Sequence, residues 1–151
     1  MIRKFKPSDE TACRKIIVEC FNKSVILNPK AQVYIKNRYN TRGYLTNKSK
    51  EYNIFVYEKN HKILGTGALE KNFIEKLYIN PSLHGRGIGK EMLFFLENLA
   101  LKKGFKRVSL RAYKNSRGFY AKHGYTFVKI YTYIVEGNLK IPTYEMRKQL
   151  T

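Results

Sequence analysis

Three glycines alternate with other residues at the chemically most suggestive point of the sequence, the segment Asn80–Lys90. Gly85, Gly87 and Gly89 allow the backbone to approach a ligand without a Cβ in the way, so successive N–H groups can converge on an anion. An apolar pattern at helical spacing follows the turn, and a helix N-terminus adds free N–H groups and the positive end of its dipole. Arg86 and Lys90 add charge. The pattern predicts a phosphate or diphosphate site, the alternative being a glycine turn with no ligand.

Two well-known phosphate-binding motifs do not fit this turn. A P-loop needs a glycine, four residues and then Gly-Lys-Ser/Thr, but His84 stands where the first glycine belongs and Glu91 follows Lys90. A dinucleotide-binding G-x-G-x-x-G motif fails in both registers, because its last glycine would be Lys90 or Met92. Both classes are therefore excluded.

The turn resembles the pyrophosphate turn of the GNAT superfamily of N-acetyltransferases, Q/R-x-x-G-x-G/A, with His84 in the Gln/Arg position. Residues 74–81 are similar to the family's fourth strand. A second block, Leu110-Arg111-Ala112 followed by residues 119–125, resembles L-x-A…F-Y-x-K-x-G-F/Y. Tyr113 replaces an Asn that often contacts the cofactor, and Asn115 lies nearby as a substitute. The resemblance is close over Ile54–Phe127.

The resemblance implies acetyl-CoA as co-substrate, an amine as acceptor and direct transfer without a covalent enzyme intermediate. Pantetheine amides would pair with the backbone of Leu77 and Ile79, where the fourth and fifth strands separate, and a free N–H near Ile79 would face the developing oxyanion. The implied coenzyme-binding residues are Leu77, Tyr78, Ile79, His84, Gly85, Arg86, Gly87, Ile88, Gly89, Lys90, Asn115, Phe119 and Tyr120.

Two side chains are candidates for moving protons. Tyr120 matches the family's Phe/Leu-Tyr and, as a phenol, would protonate the departing thiolate; the alternative is a tyrosine packed in the core. Glu75 is the candidate base for the acceptor amine, since strand alternation would place it on the same face as Leu77 and Ile79. Glu70, a water relay, or a merely solvated Glu75 are the alternatives.

The composition sets wider bounds. With 151 residues, we expect one N-acetyltransferase domain spanning 1–151. No apolar run approaches the ~18 residues of a membrane span and no signal sequence is recognisable, so we expect a cytoplasmic protein that does not bind membranes. Cys13 and Cys20 fall on the apolar stripe of a predicted helix and should be buried thiols. The cysteines and histidines lack metal-ligand spacing, so no metal is predicted.

The net charge of +19 admits several readings. It could attract a polyanion or reflect a biased genome rich in Lys, Asn and Ile codons. Arg117-Gly118-Phe119-Tyr120 begins like an RNA-binding signature but departs from it at Tyr120, so nucleic acid is not the favoured ligand. The alternatives to an enzyme are a catalytically silent acyl-CoA-binding domain and a basic RNA-binding module. No motif identifies the acceptor. A homodimer is compatible with the resemblance.

These residues need a scaffold, and the periodicity predicts one. The element order is roughly βααβββαβαββ, which is an α/β (α+β) fold of GNAT type. We expect a mixed, mostly antiparallel sheet of about six to seven strands flanked by about four helices. Gly43, Asn47 and Ser49 lead us to expect a mobile loop over Tyr39–Lys50.

Overall fold

A computed structural model describes every residue from Met1 to Thr151, and its centre is one sheet of seven strands. The spatial order is β1-β2-β3-β4-β5-β7-β6, and every neighbouring pair is antiparallel except β4 and β5. The strands are β1 (Ile2–Lys4), β2 (Asn53–Lys59), β3 (Lys62–Glu70), β4 (Phe73–Ile79), β5 (Arg107–Ala112), β6 (Thr126–Val135) and β7 (Leu139–Gln149). The predicted mixed, mostly antiparallel sheet is confirmed.

Five α-helices cover the sheet, one more than the sequence predicts. They are α1 (Glu10–Lys23), α2 (Pro29–Asn40), α3 (Tyr44–Lys48), α4 (Ile88–Lys102) and α5 (Arg117–Lys122). Asn28 begins α2 by accepting a hydrogen bond from the Ala31 N–H, and Pro29 suits the first helical position. Gly104, at φ 93°, ends α4 in the left-handed conformation that favours glycine.

The additional helix α3 lies within the segment predicted as a mobile loop, so that prediction is wrong. The carboxylate of Glu10 accepts hydrogen bonds from the N–H groups of Gly43 at 2.8 Å and Thr46 at 2.9 Å. Free N–H groups at a helix start need acceptors. Here the acceptor comes from α1, more than thirty residues away, which local sequence cannot reveal.

Helices pack on both faces of the sheet. The cluster of buried residues on one face joins α1, α2 and α3 to the sheet and includes Phe21, Leu45 and Val56. The cluster on the other face is built around α4 and includes Met92, Leu93 and Leu96. Cys13 and Cys20 are buried in the first cluster as free thiols, which confirms the predicted apolar stripe of α1.

The sheet opens between β4 and β5. Only two register pairs join these parallel strands, Phe73 with Ser109 and Ile74 with Leu110. Beyond them β4 remains paired with β3, and β5 remains paired with β7. The two strands therefore diverge, as the resemblance to the GNAT superfamily implies.

A bulge in β4 changes the direction of its side chains just where the strands part. Ala68 pairs with Glu75 and Thr66 with Tyr78, so β4 carries one residue more than β3 over this stretch. Lys76 takes a left-handed φ of 53°, and its carbonyl accepts a hydrogen bond from the Thr66 hydroxyl at 2.7 Å. An extra residue of this kind shifts the alternation of a strand by one position.

Candidate active site

The divergence of β4 and β5 creates a cleft of about 680 Å³. Its walls are residues 74–79 of β4 and 110–113 at the end of β5, and its floor includes Cys20 of α1. The glycine turn and the start of α4 close one end, and Phe119 and Tyr120 of α5 line the same side. Strands and helices predicted separately therefore meet around one cavity.

The backbone of β4 presents unpaired groups to this cleft. Asn80 donates its N–H to the Leu64 carbonyl, while Ile79 stands opposite Gly65. Because bonded and non-bonded pairs alternate along an antiparallel ladder, the peptide groups of Ile79 point away from β3 and into the opening. The Ile79 carbonyl accepts from the Cys20 thiol at 3.2 Å and lies 2.8 Å from Nε2 of His84. The Ile79 N–H remains free for a ligand.

The glycine turn forms a cradle of free N–H groups. Gly85 and Gly87 have φ values of 82° and 84°, and no atom lies within 4 Å of where their Cβ atoms would stand. The first hydrogen bond of α4 runs from Glu91 to Gly87. The six consecutive N–H groups of residues 85–90 therefore have no acceptor within the protein. This arrangement fits a diphosphate, because anions bind where helix N-terminal N–H groups converge.

Gly89 serves a different purpose from the other two glycines. A Cβ at this position would stand 3.3 Å from the Phe119 ring and 3.6 Å from the Ile79 side chain. The missing side chain allows the start of α4 to approach α5 and β4 closely. The turn, β4 and α5 are thereby held as one unit around the cleft.

Tyr120 combines a buried ring with a hydroxyl at the cleft. The ring packs against Phe119 and Tyr125 at centroid distances of 5.2 Å and 5.7 Å. The residue is 8% exposed and lines the cleft. Its hydroxyl has no hydrogen-bond partner within the protein and is not completely enclosed. Burial raises the pKa of the Tyr120 phenol above its ordinary value. The group is therefore a proton donor that stays protonated at neutral pH.

Glu75 lines the cleft, but it does not share a face with Leu77. The bulge at Lys76 places Leu77 against the α4 cluster, whereas the Glu75 charge acts on Tyr52, Tyr44 and Tyr39 beneath α2 and α3. Glu75 therefore does not lie on the face predicted from strand alternation, although the residue does reach the cleft. Glu70 is exposed at the end of β3 and lies outside the cleft wall.

His84 and Tyr113, the two residues that depart from the family pattern, both lie in the cleft wall. Tyr113 packs edge-on against Phe21 at 5.6 Å, and Asn115 lies in the short turn before α5. His84 contacts the carbonyl of Ile79 at the end of β4, as described above.

Residues 117–120 do not form an RNA-binding surface of the predicted kind. That interpretation requires aromatic side chains on strands, and these residues form α5 instead.

Two cations of the cleft wall, Lys76 and Arg111, have aromatic partners that the sequence does not reveal. Lys76 lies with its Nζ 5.4 Å to 5.9 Å from the ring centres of Tyr52, Tyr44 and Tyr39, and burial lowers its pKa. Arg111 stacks 3.7 Å from the ring centre of Tyr131. No local spacing connects these partners, which come from distant segments, so only the folded arrangement reveals them.

Comparison with known proteins places the chain in a family. The model of the GNAT acetyltransferase domain matches residues 18–150. The chain belongs to the GNAT family of acetyltransferases and is by that membership an acyltransferase. No curated protein sequence matches the chain significantly.

Solved structures share the fold over nearly the whole chain. A GCN5-related N-acetyltransferase from Rhodopseudomonas palustris has a TM-score of 0.92 at 20% identity, covering 99% of this chain and 95% of that one. PaiA N-acetyltransferase from Thermoplasma acidophilum, solved with coenzyme A, has a TM-score of 0.73 at 21% identity, covering 99% and 98%. YncA from Salmonella typhimurium, a putative acetyltransferase solved with acetyl-CoA, has a TM-score of 0.68 at 19% identity, covering 100% and 94%. These likenesses establish the GNAT fold.

Two further findings concern features that the structure lacks. No helix is both long and apolar enough to span a membrane. No group of three or more His, Cys, Asp or Glu side chains is arranged to hold a metal ion.

Proposed function

We propose that this protein transfers the acetyl group of acetyl-CoA directly to the amine of an acceptor. One observation carries the proposal: six consecutive free N–H groups stand at the mouth of an open cleft that passes between β4 and β5. The cradle suits a diphosphate, and the cleft suits a chain of amides leading away from it. Coenzyme A contains both features, and relatives of the same fold were solved with it.

The coenzyme would be held mainly by backbone. The N–H groups of residues 85–90 would bind the diphosphate, with Arg86 and Lys90 supplying charge. Leu77, Tyr78 and Ile79 would flank the pantetheine arm from β4, while Asn115 and Phe119 face it from the other wall. His84 contributes by fixing the end of β4 to the turn.

When bound, acetyl-CoA would supply an activated acetyl group as a thioester. The free N–H of Ile79 points into the cleft, where it would stabilise negative charge on a carbonyl oxygen. The Tyr120 hydroxyl would hold the proton that a thiolate needs on leaving. Glu75 would accept the proton of the acceptor ammonium from the opposite face of the sheet.

The two thiols do not offer a covalent route. Burial raises the pKa of Cys13 and of Cys20 to about 12. Cys20 lines the cleft, but its thiol donates to the Ile79 carbonyl. Since the thiolate is the nucleophile, neither residue would carry an acetyl group at neutral pH. This supports direct transfer.

Two measurements test the proposal in sequence. Isothermal titration with coenzyme A should show binding that is lost when Gly87 is replaced by a bulky residue such as Val. A free-thiol assay with acetyl-CoA and a panel of amines should then show acceptor-dependent release of coenzyme. Binding without release for any amine would leave a silent acyl-CoA-binding domain. Binding of oligonucleotide with a steep salt slope, but not of coenzyme A, would favour an RNA module.

We also propose that residues 1–151 work as a single N-acetyltransferase domain in the cytoplasm, and that two copies pair through β6. Support for pairing comes from the outer edge of the sheet, where five large apolar side chains are exposed on one strand: Phe127, Val128, Ile130, Tyr133 and Ile134. A long apolar edge strand is a template for pairing with another strand. Size-exclusion chromatography with light scattering, on wild type and on Ile130→Lys, measures the oligomeric state.

A further inference from the structure

Arg111 occupies an unusual position at the point where the sheet opens. It follows Leu110, the last residue of β5 that pairs with β4, and it lines the cleft. Its side chain extends to the face covered by α1–α3, since its neighbours Leu110 and Ala112 belong to the α4 cluster. This is the face on which Glu75 also lies.

Four other side chains fix the Arg111 guanidinium in place. Its plane stacks on Tyr131 at 3.7 Å, and its Cζ lies 4.9 Å from the Phe73 ring centre. Its Nε donates to a Glu145 carboxylate oxygen at 3.3 Å, and its Nη1 donates to the Tyr133 hydroxyl at 3.0 Å. Arginine held by rings is a pre-organised receptor, because little side-chain freedom remains to be lost on binding.

This arrangement leaves donors unused. A guanidinium carries five N–H groups, and the two described bonds use only one on Nε and one on Nη1. The Nη2 group therefore has no partner within the protein, and 26% of the side chain is exposed. A half-buried cation with a free planar edge on a cleft is suited to bind an oxyanion.

Glu75 follows Ile74, the last residue of β4 that pairs with β5, just as Arg111 follows Leu110 in β5. In parallel register the two stand side by side at the point of divergence, yet the ion pair of Arg111 is formed with Glu145. Paired strands lie ~4.8 Å apart, and diverging strands lie farther. A space between the Glu75 carboxylate and the fixed Arg111 guanidinium matches a molecule that carries an ammonium and a carboxylate a few bonds apart.

We propose that Arg111 binds a carboxylate of the acceptor, and that the acceptor is an amino acid whose amine lies toward Glu75. This inference rests on the proposed acetyl transfer and gives the substrate class of the same site. Arg111 is a specificity-determining residue in this scheme and takes no part in proton transfer. The carboxylate holds the acceptor so that its amine faces the cleft between β4 and β5.

The test compares each of a set of L-amino acids with its own carboxamide, which keeps the amine and removes the carboxylate. Thiol release from acetyl-CoA gives kcat and KM for both. We expect wild type to favour the amino acid. Arg111→Gln should reduce kcat/KM for the amino acid by about 10- to 100-fold, the loss expected for a charge-assisted pair. The same variant should leave the carboxamide and the KM for acetyl-CoA unchanged.

A matched control is Arg107→Gln, which removes the same charge from the exposed start of β5. It should behave as wild type, so a local effect is separated from a general loss of positive charge. Arg111→Lys keeps the charge without the planar edge and serves as a second variant if Arg111→Gln does not fold.

Three outcomes would overturn the proposal. They are a wild-type preference for carboxamides, acetylation only of amines without a carboxylate, or equal losses on acid and amide in Arg111→Gln. In each of these the acetyl transfer itself would still stand. Absence of coenzyme A binding by isothermal titration would instead remove the proposed function, and the acceptor assignment with it.

Discussion

At the scale of single residues, Tyr120 makes the sharpest prediction. Tyr120→Phe removes one oxygen from a ring whose packing against Phe119 and Tyr125 it preserves. We expect kcat to fall by ~10–10³-fold, the range for loss of a general acid, with the Kd for coenzyme A nearly unchanged. Steady-state thiol release and isothermal titration measure the two quantities.

Tyr125→Phe is the matched control for that substitution. The Tyr125 hydroxyl donates to the Glu97 carboxylate at 2.7 Å inside the α4 cluster, away from the cleft wall. Its loss should lower the free energy of unfolding by about 1.5–3 kcal/mol, as for a hydrogen bond to a charged group, while kcat remains. Unchanged turnover in Tyr120→Phe would remove that residue from the mechanism.

The Glu75 prediction concerns pH. Glu75→Gln cannot accept a proton, so activity should fall most where the acceptor amine is protonated and recover as pH rises toward the pKa of the amine. The pH profile of kcat/KM, compared with that of Glu70→Gln, distinguishes the two carboxylates. Full activity of Glu75→Gln at neutral pH, where the acceptor amine is mostly protonated, would favour a water relay instead.

At the scale of elements, α3 depends on a carboxylate from α1. Burial opposes the charge on Glu10, but its hydrogen bonds from Thr46 and Gly43 hold the Glu10 pKa below its ordinary value. A lowered folded pKa adds stability above the unfolded value, and this stability is lost as pH falls through the folded one. Glu10→Gln should lower the free energy of unfolding by about 1–3 kcal/mol at pH 7, and the difference from wild type should shrink below about pH 4.

Denaturant unfolding at a series of pH values measures this effect. Glu19→Gln is the control on the same helix, because Glu19 forms only an exposed pair with Lys23. Its effect should stay within about 0.5 kcal/mol. An equal change in both variants would mean that Glu10 does not cap α3.

The strands and helices differ in how well the sequence predicts them. Alternation and helical spacing predict the strands, α4 and the glycine turn, because each depends on local pattern. The bulge at Lys76 and the start of α3 depend on Thr66 and Glu10, which are distant in sequence. The position of Glu75 relative to Leu77 was mispredicted for this reason, and the aromatic neighbours of Arg111 were missed for the same one.

At the scale of the whole molecule, the charge of +19 should assist binding of a polyphosphate ligand. We expect the Kd for coenzyme A to rise with ionic strength, because the Debye length shortens to ~10 Å at 0.1 M salt. Titration of coenzyme A and of pantetheine over a range of KCl concentrations measures the effect. Pantetheine has no phosphates and should show little dependence, and equal salt slopes would contradict electrostatic attraction.

The junction of β4 and β5 has a mechanical consequence. Two register pairs are all that connect β1–β4 to the remaining three strands through the ladder. Amide protons along this seam should exchange with solvent early, because few neighbouring bonds must break to expose them. A bound molecule that contacts both walls would hold the two parts of the sheet together. It would raise the free energy of unfolding by ~2.7 kcal/mol at a hundredfold excess over its Kd. The bound substrate would thus bridge β4 and β5, the two strands whose separation forms its binding site.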